Sequence, residues 1–472
     1  MNESKSHEKS MYKEYLSYFI AVGFLIAGVV IPQVINVDPS QAKILSILLF
    51  AVVLWSTEAL NPIVVSLAVI VLISLFKVLP YSDVAEGLGS TIIWRLMGIF
   101  IFAEAVKKSG LGQRIVYKIF GFANGKVRNF LFFYLMLTFL FIFLVPAITG
   151  RVMLMLTMVL GLFAGLKISP PSNIGKIIFI SLPIISLISS TSVIVGSSST
   201  IYAAGLMQEL AQFKFSYLSW FIANFPIGLT ITIAMYFILT RLYPPEIEEF
   251  PGGIEYLNKV IQEAGPLTSE EKKVLFVYGI LLFCWLSNLA TDYPAELLAA
   301  LILMFPKIGI LTWKEASSGI NWGILILFSA GFAIAKALQV TNIVNDFAGF
   351  ILGYIENFSP LALLTVIFFL TMIIRLGMNN IMPVIAALMP IVFNLGTTIG
   401  INPIWLSLVV LYAATLTFLP TQTSTGVITY SYGFYSAKEM ARAAIIINFL
   451  MFILVLLAAK FYWPQVGIPI IH

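Results

Sequence analysis

The chain consists of long apolar runs separated by short polar segments. The clearest runs cover residues 15–35, 64–78, 130–145, 220–240, 274–289, 361–374 and 443–461. A helix needs about 20 mostly apolar residues to cross a bilayer, and several of these runs approach that length. The alternating pattern of membrane-spanning strands is absent. The pattern therefore predicts an all-α, multi-pass membrane protein with about 11 transmembrane segments.

Composition supports a membrane environment and narrows the function. Of the 472 residues, 60% are hydrophobic and 10% are charged, whereas a soluble domain is about 25% charged. The net charge of +5 is modest. In a membrane protein such a basic excess indicates the orientation of the chain, and not nucleic-acid binding. His7 and His472 lie at the chain ends, and Cys284 is the single cysteine. A histidine metal site, a Ser-His triad and an intrachain disulfide are thereby excluded, and we expect neither an enzyme nor a cofactor.

Basic residues indicate the orientation of the chain. Six of them fall between positions 107 and 128, and three more precede the first apolar run. By the positive-inside rule both segments are cytoplasmic. The first run lacks a cleavage site and is expected to remain as a helix. Short termini without a transit peptide favour a bacterial cytoplasmic membrane.

The two halves of the chain resemble each other. Trp94 and Trp322, 228 positions apart, open similar blocks with the sequences WRLMGIF and WGILILF. Three further features recur in the same order at offsets of 234, 230 and 225 positions: Thr57 with Thr291, Thr149 with Asn379, and residues 196–200 with 421–425. A duplicated membrane half is typical of transporters whose substrate binds between the repeats. Similar composition alone is the alternative explanation.

Polar clusters interrupt the apolar runs at four places, two in each half. They lie at residues 145–151, 196–200, 375–380 and 420–426. Irregular backbone survives at membrane depth only where it lines a cavity or contacts protein. The first and third clusters separate two apolar arms, which predicts a re-entrant helical hairpin in each half. The second and fourth predict a broken transmembrane helix in each half.

These clusters divide the chain into segments. We expect an N-terminal helix and the start of a scaffold at 1–56, a first repeat at 57–240, a polar linker at 241–273, a second repeat at 274–436 and a C-terminal transmembrane helix at 437–472.

The clusters and the tryptophan blocks resemble those of the divalent anion–sodium symporter family, from about Thr57 to Trp463. The resemblance implies inverted repeats, a homodimer, and secondary transport of di- or tricarboxylate-like anions by an elevator-type movement coupled to Na⁺. The alternatives are a sodium-independent anion exchanger and a transporter-like ligand sensor that does not transport.

The same resemblance implies where the ligands bind. In the family the hairpin tips hold the substrate carboxylates, and the tips together with the helix breaks hold sodium. The expected substrate-binding residues are Thr149, Arg151, Ser199, Thr200, Asn379, Asn380, Thr423, Ser424 and Thr425. The expected sodium-binding residues are Ala147, Thr149, Gly196, Gly377, Asn379 and Thr421.

This chain departs from the family at both tips and both breaks. The usual Ser-Asn-Thr tip reads Pro-Ala-Ile-Thr at residues 146–149, and Met-Asn-Asn at 378–380. Arg151 offers a compensation, because a guanidinium can pair with a substrate carboxylate. Its alternative partners are a protein carboxylate or a helix end. For Arg375, four residues before Asn379, the possible partners are the same: a substrate carboxylate, a protein carboxylate or a helix end.

Overall fold

The computed structural model describes residues 2–57, 59–121, 123–145, 147–211, 215–250, 262, 265–287, 294–343, 358–378 and 380–471. Within these ranges the regular structure is helical, without a strand. The all-α expectation is confirmed.

The first half contains eleven described helices. They are α1 (Asn2–Val34), α2 (Pro39–Thr57), α3 (Pro62–Leu75), α4 (Tyr81–Gly89), α5 (Thr91–Ser109), α6 (Leu111–Gly121), α7 (Val127–Leu140), α8 (Ile148–Leu166), α9 (Asn173–Ser192), α10 (Ser198–Ala211) and α11 (Tyr217–Leu242).

The second half contains nine described helices. They are α12 (Ser269–Leu286), α13 (Ala295–Met304), α14 (Trp313–Gly319), α15 (Trp322–Val340), α16 (Pro360–Leu376), α17 (Ile381–Ile399), α18 (Pro403–Ala414), α19 (Ser424–Tyr430) and α20 (Ala437–Leu457). A 3₁₀ turn at Pro420–Gln422 separates α18 from α19.

Nine helical stretches among the described residues are long and apolar enough to cross a membrane, and five shorter apolar helices accompany them. Large apolar side chains on the outer helices are exposed, among them Phe19, Leu75, Phe276 and Phe449. Such exposure suits contact with lipid, because the bilayer replaces water around these side chains. The multi-pass membrane architecture is therefore confirmed.

Short polar side chains define where the helices begin. Asn61, Ser90, Ser172 and Ser216 each accept a hydrogen bond from a backbone N–H in the first turn of α3, α5, α9 and α11, respectively. The helices α15 to α19 of the second half are capped in the same way. Their capping residues are, in order, Asn321, Ser359, Asn380, Asn402 and Thr423. These caps satisfy orphan amide donors that lipid cannot satisfy.

The halves pack against each other reciprocally. In one pair of contacts α3 packs on α15, and α13 packs on α5. In a second pair α10 packs on α17 and α18, whereas α19 packs on α8 and α9. Each short helix after a break therefore contacts the hairpin arm and the broken helix of the opposite half.

The two broken helices form the centre of the protein. All twelve residues of α18 are buried, as are all but two residues of α9. The first interruption, at 193–197, is almost entirely buried as well, whereas the second, at 415–423, is buried except around Leu419 and Thr421.

The interruptions lie a few residues from their expected positions. The first break covers residues 193–197, so that Ser199 and Thr200 belong to the first turn of α10. The second extends from 415 to 423, and Ser424 and Thr425 begin α19. Likewise Thr149 and Arg151 belong to the first turn of α8. Serine and threonine favour helix starts, so a polar cluster marks the beginning of the next helix as well as the gap.

The contact of α5 with α13 yields a test of the packing. An ideal Cβ at Gly98 would lie 2.5 Å from the backbone carbonyl carbon of Glu296, so Gly98→Ala forces two helix backbones apart. We expect a loss of about 1–3 kcal/mol, seen as a lower thermal midpoint of the detergent-solubilised protein. Gly161→Ala is the control, because a Cβ there meets nothing within 4 Å. Equal midpoints for the two variants would contradict this packing.

Candidate functional site

Arg151 joins the segment before α8, which was expected to be the first hairpin tip, to the interruption after α9. Its side chain is completely buried. Nη1 donates to the carbonyl oxygens of Val145, at 2.9 Å, and Gly196, at 3.0 Å. Nη2 donates to the carbonyl oxygen of Ser186 at 2.7 Å. One guanidinium thereby contacts the hairpin tip, the break and the body of α9.

Arg375 makes the equivalent connection in the second half. Its side chain is 1% exposed. Nε donates to the carbonyl oxygen of Ala414, and Nη2 to that of Gln422, both at 3.0 Å. Nη1 donates to the carbonyl oxygen of Met378, at the tip. The two arginines come from opposite arms of their hairpins, yet each bonds to a tip, to a break and to the preceding helix.

No carboxylate neutralises either guanidinium in the part of the chain that the structure describes. The acidic side chains buried there are Glu271 and Glu296. Glu271 pairs with Arg114 at 2.5 Å, and Glu296 accepts a hydrogen bond from Trp285 Nε1 at 3.0 Å. Burying a charge is costly unless it is compensated. Within the described residues the two tips therefore carry two positive charges balanced only by carbonyl dipoles.

Some buried hydrogen-bond donors near the breaks in sequence have no partner among the described residues. The Nε atom of Arg151 and the Nε2 atom of Gln422 are buried and have no partner in the structure. The hydroxyl groups of Ser186 and Ser192 are also buried and have no hydrogen-bond partner. Unsatisfied buried donors cost about 1–3 kcal/mol each. Their grouping around the breaks is typical of a site that receives an acceptor from a ligand.

Helix N-termini add positive potential at the same places. In the first half, α8 begins beside the tip and α10 follows the break; α17 and α19 do so in the second half. Each N-terminus carries a partial positive charge and free amide donors. Together with the guanidinium groups, these ends make the region around the tips and breaks attractive to anions.

A cavity of about 420 Å³ reaches the first tip. Val145, Ala147, Thr149 and Gly150 line one side, and residues of α5 and α6 line the other. Small-ligand pockets typically enclose about 300–1,000 Å³. The cavity is large enough for a small organic anion and connects the tip with the neighbouring helices.

The expected site residues have different surroundings in the structure. Thr149, Asn380, Thr421, Ser424 and Gly377 are exposed, Ala147 is half-buried, and Gly196, Ser199, Thr200, Thr423 and Thr425 are buried. Asn379 lies outside the described residues. Arg375 bonds to the carbonyl group of Ala414 at the end of α18, which is one of the alternatives that the sequence left open. Arg151 bonds to Ser186 inside α9 and to Val145 and Gly196 outside the helices.

Several of the buried hydroxyls satisfy the broken backbone. Thr200 Oγ1 donates to the carbonyl oxygen of Ser190 at 2.7 Å, and Ser199 bonds to Ser197. Thr423 Oγ1 accepts from the amide of Gly426 at 2.9 Å. These bonds give the hydroxyls a structural role at the breaks.

Two contributors were missed by the sequence analysis. Gln422 accepts two backbone hydrogen bonds through Oε1, from the amides of Phe418 and Leu419, and leaves Nε2 free. Ser186 lies inside α9, ten residues before the polar cluster at 196–200. Gln422 could have been identified from the sequence, because it has the longest polar side chain of its cluster. Nothing in the sequence distinguishes Ser186.

Glu104 and Lys336, which occupy matching positions in the two halves, are partners of nearby side chains. Glu104 pairs with Lys107 at 3.1 Å, and Lys336 pairs with Glu86 at 2.7 Å. All four groups are at least partly exposed. Such surface pairs contribute little stability. Glu104 and Lys107 also line the cavity at the first tip.

The two guanidinium groups engage one of the expected sodium ligands. The carbonyl oxygen of Gly196 accepts a hydrogen bond from Arg151. The other acceptors of the two guanidinium groups are not among the expected sodium ligands; they are the carbonyl oxygens of Val145, Ser186, Ala414, Met378 and Gln422.

Comparison with known proteins identifies the family. The model of the sodium:sulfate symporter transmembrane region matches residues 12–468. A membrane protein of Cupriavidus necator is 24% identical, covering 95% of this chain and 92% of its own. The sodium-dependent dicarboxylate transporter SdcS of Staphylococcus saprophyticus is 25% identical (91% and 88%), and that of Staphylococcus aureus strain USA300 is 23% identical (98% of each).

Among solved structures, Neisseria gonorrhoeae MtrF, which belongs to a class of antimetabolite efflux pumps, has a similar fold. The TM-score is 0.54 at 12% sequence identity, over 85% of this chain and 86% of MtrF. This likeness concerns the fold alone. The family match extends over nearly the whole chain, and the chain therefore belongs to the sodium:sulfate symporter family of membrane transporters.

Proposed function

We propose that the chain is a secondary active transporter of small organic dianions, of the size of four- to six-carbon di- and tricarboxylates. One observation carries the proposal: two buried guanidinium groups, one at each hairpin tip, lack carboxylate partners among the described residues. An anion with two charges would neutralise both. The names of the staphylococcal relatives, which are dicarboxylate transporters, agree with this substrate class.

The transport mechanism is alternating access of the elevator type. The mobile unit consists of the two hairpins, α7–α8 and α16–α17, and the two broken helices with their continuations, α10 and α19. The scaffold includes the reciprocal pairs α3–α15 and α5–α13. The arginines support this division, because each fastens a hairpin to a broken helix and makes the pair one body.

The halves are proposed to be inverted repeats related by a pseudo-two-fold axis. Two observations support this relation: the reciprocal packing of the helices after the breaks, and the matching positions of the two guanidinium groups. A site between such repeats lies near the middle of the membrane.

We further propose that the protein works as a homodimer in a bacterial cytoplasmic membrane, with its N-terminus in the cytoplasm. The family resemblance supports the dimer, and bacterial relatives support the membrane. The concentration of basic residues between positions 107 and 128 supports the orientation.

The coupling mode separates two forms of this transporter. The family name and the names of the staphylococcal relatives favour sodium symport. Anion exchange is the alternative, and the buried positive charges of Arg151 and Arg375 support it for this chain.

The first test measures transport of the proposed substrate class. Proteoliposomes loaded with an unlabelled anion are given labelled succinate, malate, citrate or sulfate outside, and protein-free liposomes serve as the control. We expect accumulation of at least one carboxylate. Specific binding to the purified protein without accumulation would support the ligand-sensor alternative. Neither binding nor accumulation would contradict the substrate class.

The second test addresses the geometry of the guanidinium. Arg375→Lys keeps the charge but replaces a planar fork of donors by one ammonium, which cannot bond to Ala414, Met378 and Gln422 in the same geometry. We expect transport to fall by about tenfold or more, since a lost charged hydrogen bond is worth about 1.5–3 kcal/mol. Arg241→Lys, at the exposed end of α11, is the matched control. Equal rates in both variants would contradict the assignment.

A further inference from the structure

We propose that Glu296 is a proton-binding site between the scaffold and the mobile unit, and that the unit moves when this carboxyl group carries its proton. The inference rests on the proposed elevator mechanism and adds a dependence on pH to it. The site lies in a cavity different from the one at the first tip, with no lining residue in common.

This cavity separates the scaffold from the mobile unit. Arg95 of α5 and Glu296 of α13 line it on the scaffold side. On the side of the mobile unit, Val195 of the first break and Gly205 and Gln208 of α10 line it. Its volume is about 50 Å³, which is enough for about four water molecules. A movement of the unit along the scaffold therefore replaces one wall of the cavity.

One carboxyl oxygen of Glu296 is unpaired in this cavity. The residue is 2% exposed. Its Oε1 accepts a hydrogen bond from Trp285 Nε1 at 3.0 Å, whereas the buried Oε2 has no partner among the described residues. The hydroxyl group of Tyr217 lines the same cavity and is likewise buried without a partner in the described chain. A carboxyl oxygen in this position can hold a proton and donate it to water or to the hydroxyl group.

An aromatic pair connects Glu296 to the helices around the first break. The ring of Tyr217, the first residue of α11, stacks on the ring of Trp285 in α12 with a centroid distance of 4.8 Å and an interplanar angle of 7°. Trp285 in turn donates to Glu296. Because α11 packs on the broken helix α9, the surroundings of the carboxyl group depend on where α9 stands relative to the scaffold.

Opposing influences act on the charge of Glu296. Burial of an unpaired oxygen favours the neutral form. Arg95 of α5, the hydrogen bond from Trp285 and the N-terminus of α13, whose first turn contains Glu296, favour the ionised form. Gln208 of α10 and Tyr217 of α11 face the cavity as neutral groups near neutral pH. Opposing influences of this kind make the occupancy of the proton sensitive to pH.

The proton decides the cost of movement. The other side chains that α10 presents to the cavity, Ile201 and Ala204, are apolar. An elevator movement carries this face past Glu296 and removes water from it. On the mildest scale for charged side chains in a bilayer, an ionised carboxylate lowers the population of such a state about a hundredfold. A neutral carboxyl group does not have this cost. The rate therefore falls as the pH rises and Glu296 loses its proton.

The first experiment compares the pH dependence of transport in the wild type and in Glu296→Gln. Glutamine keeps an acceptor for Trp285 and cannot ionise. Proteoliposomes take up the labelled dicarboxylate that the transport test identifies, at equal pH on both sides, from about pH 5 to about pH 9, where buried carboxyl groups titrate. Both proteins meet the same ionic forms of the substrate, so the ratio of their rates isolates Glu296. We expect the ratio of wild type to variant to fall by about tenfold or more across the series.

The matched control is Glu270→Gln, at the exposed start of α12, which should keep the wild-type profile. A ratio of wild type to Glu296→Gln that stays constant with pH would overturn the inference and leave the proposed function standing. Absence of uptake for every anion at every pH would refute the proposed function and, with it, the role of the proton in movement.

A second variant changes the hydrogen bond and keeps the carboxyl group. Trp285→Phe retains an aromatic ring against Tyr217 but loses the indole N–H, which stabilises the ionised form of Glu296. We expect the transport profile to shift to higher pH by about one unit, because a hydrogen bond to a charged group is lost. An unchanged profile, or a shift to lower pH, would contradict the proposed site.

Infrared spectroscopy of the purified protein detects the proton without transport. The wild type and Glu270→Gln should show the carbonyl absorption of a protonated carboxyl group at the acidic end of the series and lose it as the pH rises. Glu296→Gln should lack this component at every pH. A monodisperse elution profile shows that the variant is folded. Identical spectra of the wild type and folded Glu296→Gln across the series would overturn the proton site.

Discussion

A guanidinium group buried where helices end has to find acceptors, and main-chain carbonyl groups at helix ends are the acceptors that such a place offers. This pairing governs the centre of the protein. Arg151 and Arg375 supply donors to carbonyl groups that their helices leave unpaired at the tips and breaks. The interrupted backbone is stable at this depth because the arginines satisfy it, and the arginines are tolerated there because the backbone is interrupted.

The same pairing connects structure to movement. Each arginine fastens a hairpin tip to a break, while Trp220 donates to the carbonyl oxygen of Thr191 and Asn448 to that of Thr417. Thr417 belongs to the second break, whereas Thr191 lies in the last turn of α9. The proposed elevator mechanism requires a unit that moves as a whole, and these bonds support such a unit.

Much of this architecture was predictable from the residue pattern. The apolar runs predicted helices, and the polar clusters lie within a few residues of the interruptions and helix starts that the structure shows. The positions differ mainly because Ser198 and Ser424 begin helices. The partners of the arginines were not predictable. The acceptors of Arg151 lie six, 35 and 45 positions away, and only the folded chain brings them together.

The sequence did contain one clue to the role of these arginines. Arg151 and Arg375 each lie in an apolar hairpin arm, near opposite tips of the two halves, with no acidic residue in the adjoining arms. A charge without a partner of opposite sign at membrane depth points either to carbonyl groups or to an anionic ligand. In this protein the first is observed and the second is the proposed substrate. The expected sodium ligands were taken from the family pattern, which these arginines alter.

The most direct measurement of the central claim is the thermal midpoint of the purified protein, titrated with a dicarboxylate in sodium chloride and, separately, in choline chloride at equal ionic strength. Binding to the folded state raises the midpoint in proportion to the binding free energy. If the guanidinium groups bind the substrate, the dianion raises the midpoint of the wild type and raises that of Arg375→Lys less. A dianion that leaves the wild-type midpoint unchanged in both salts would contradict the account.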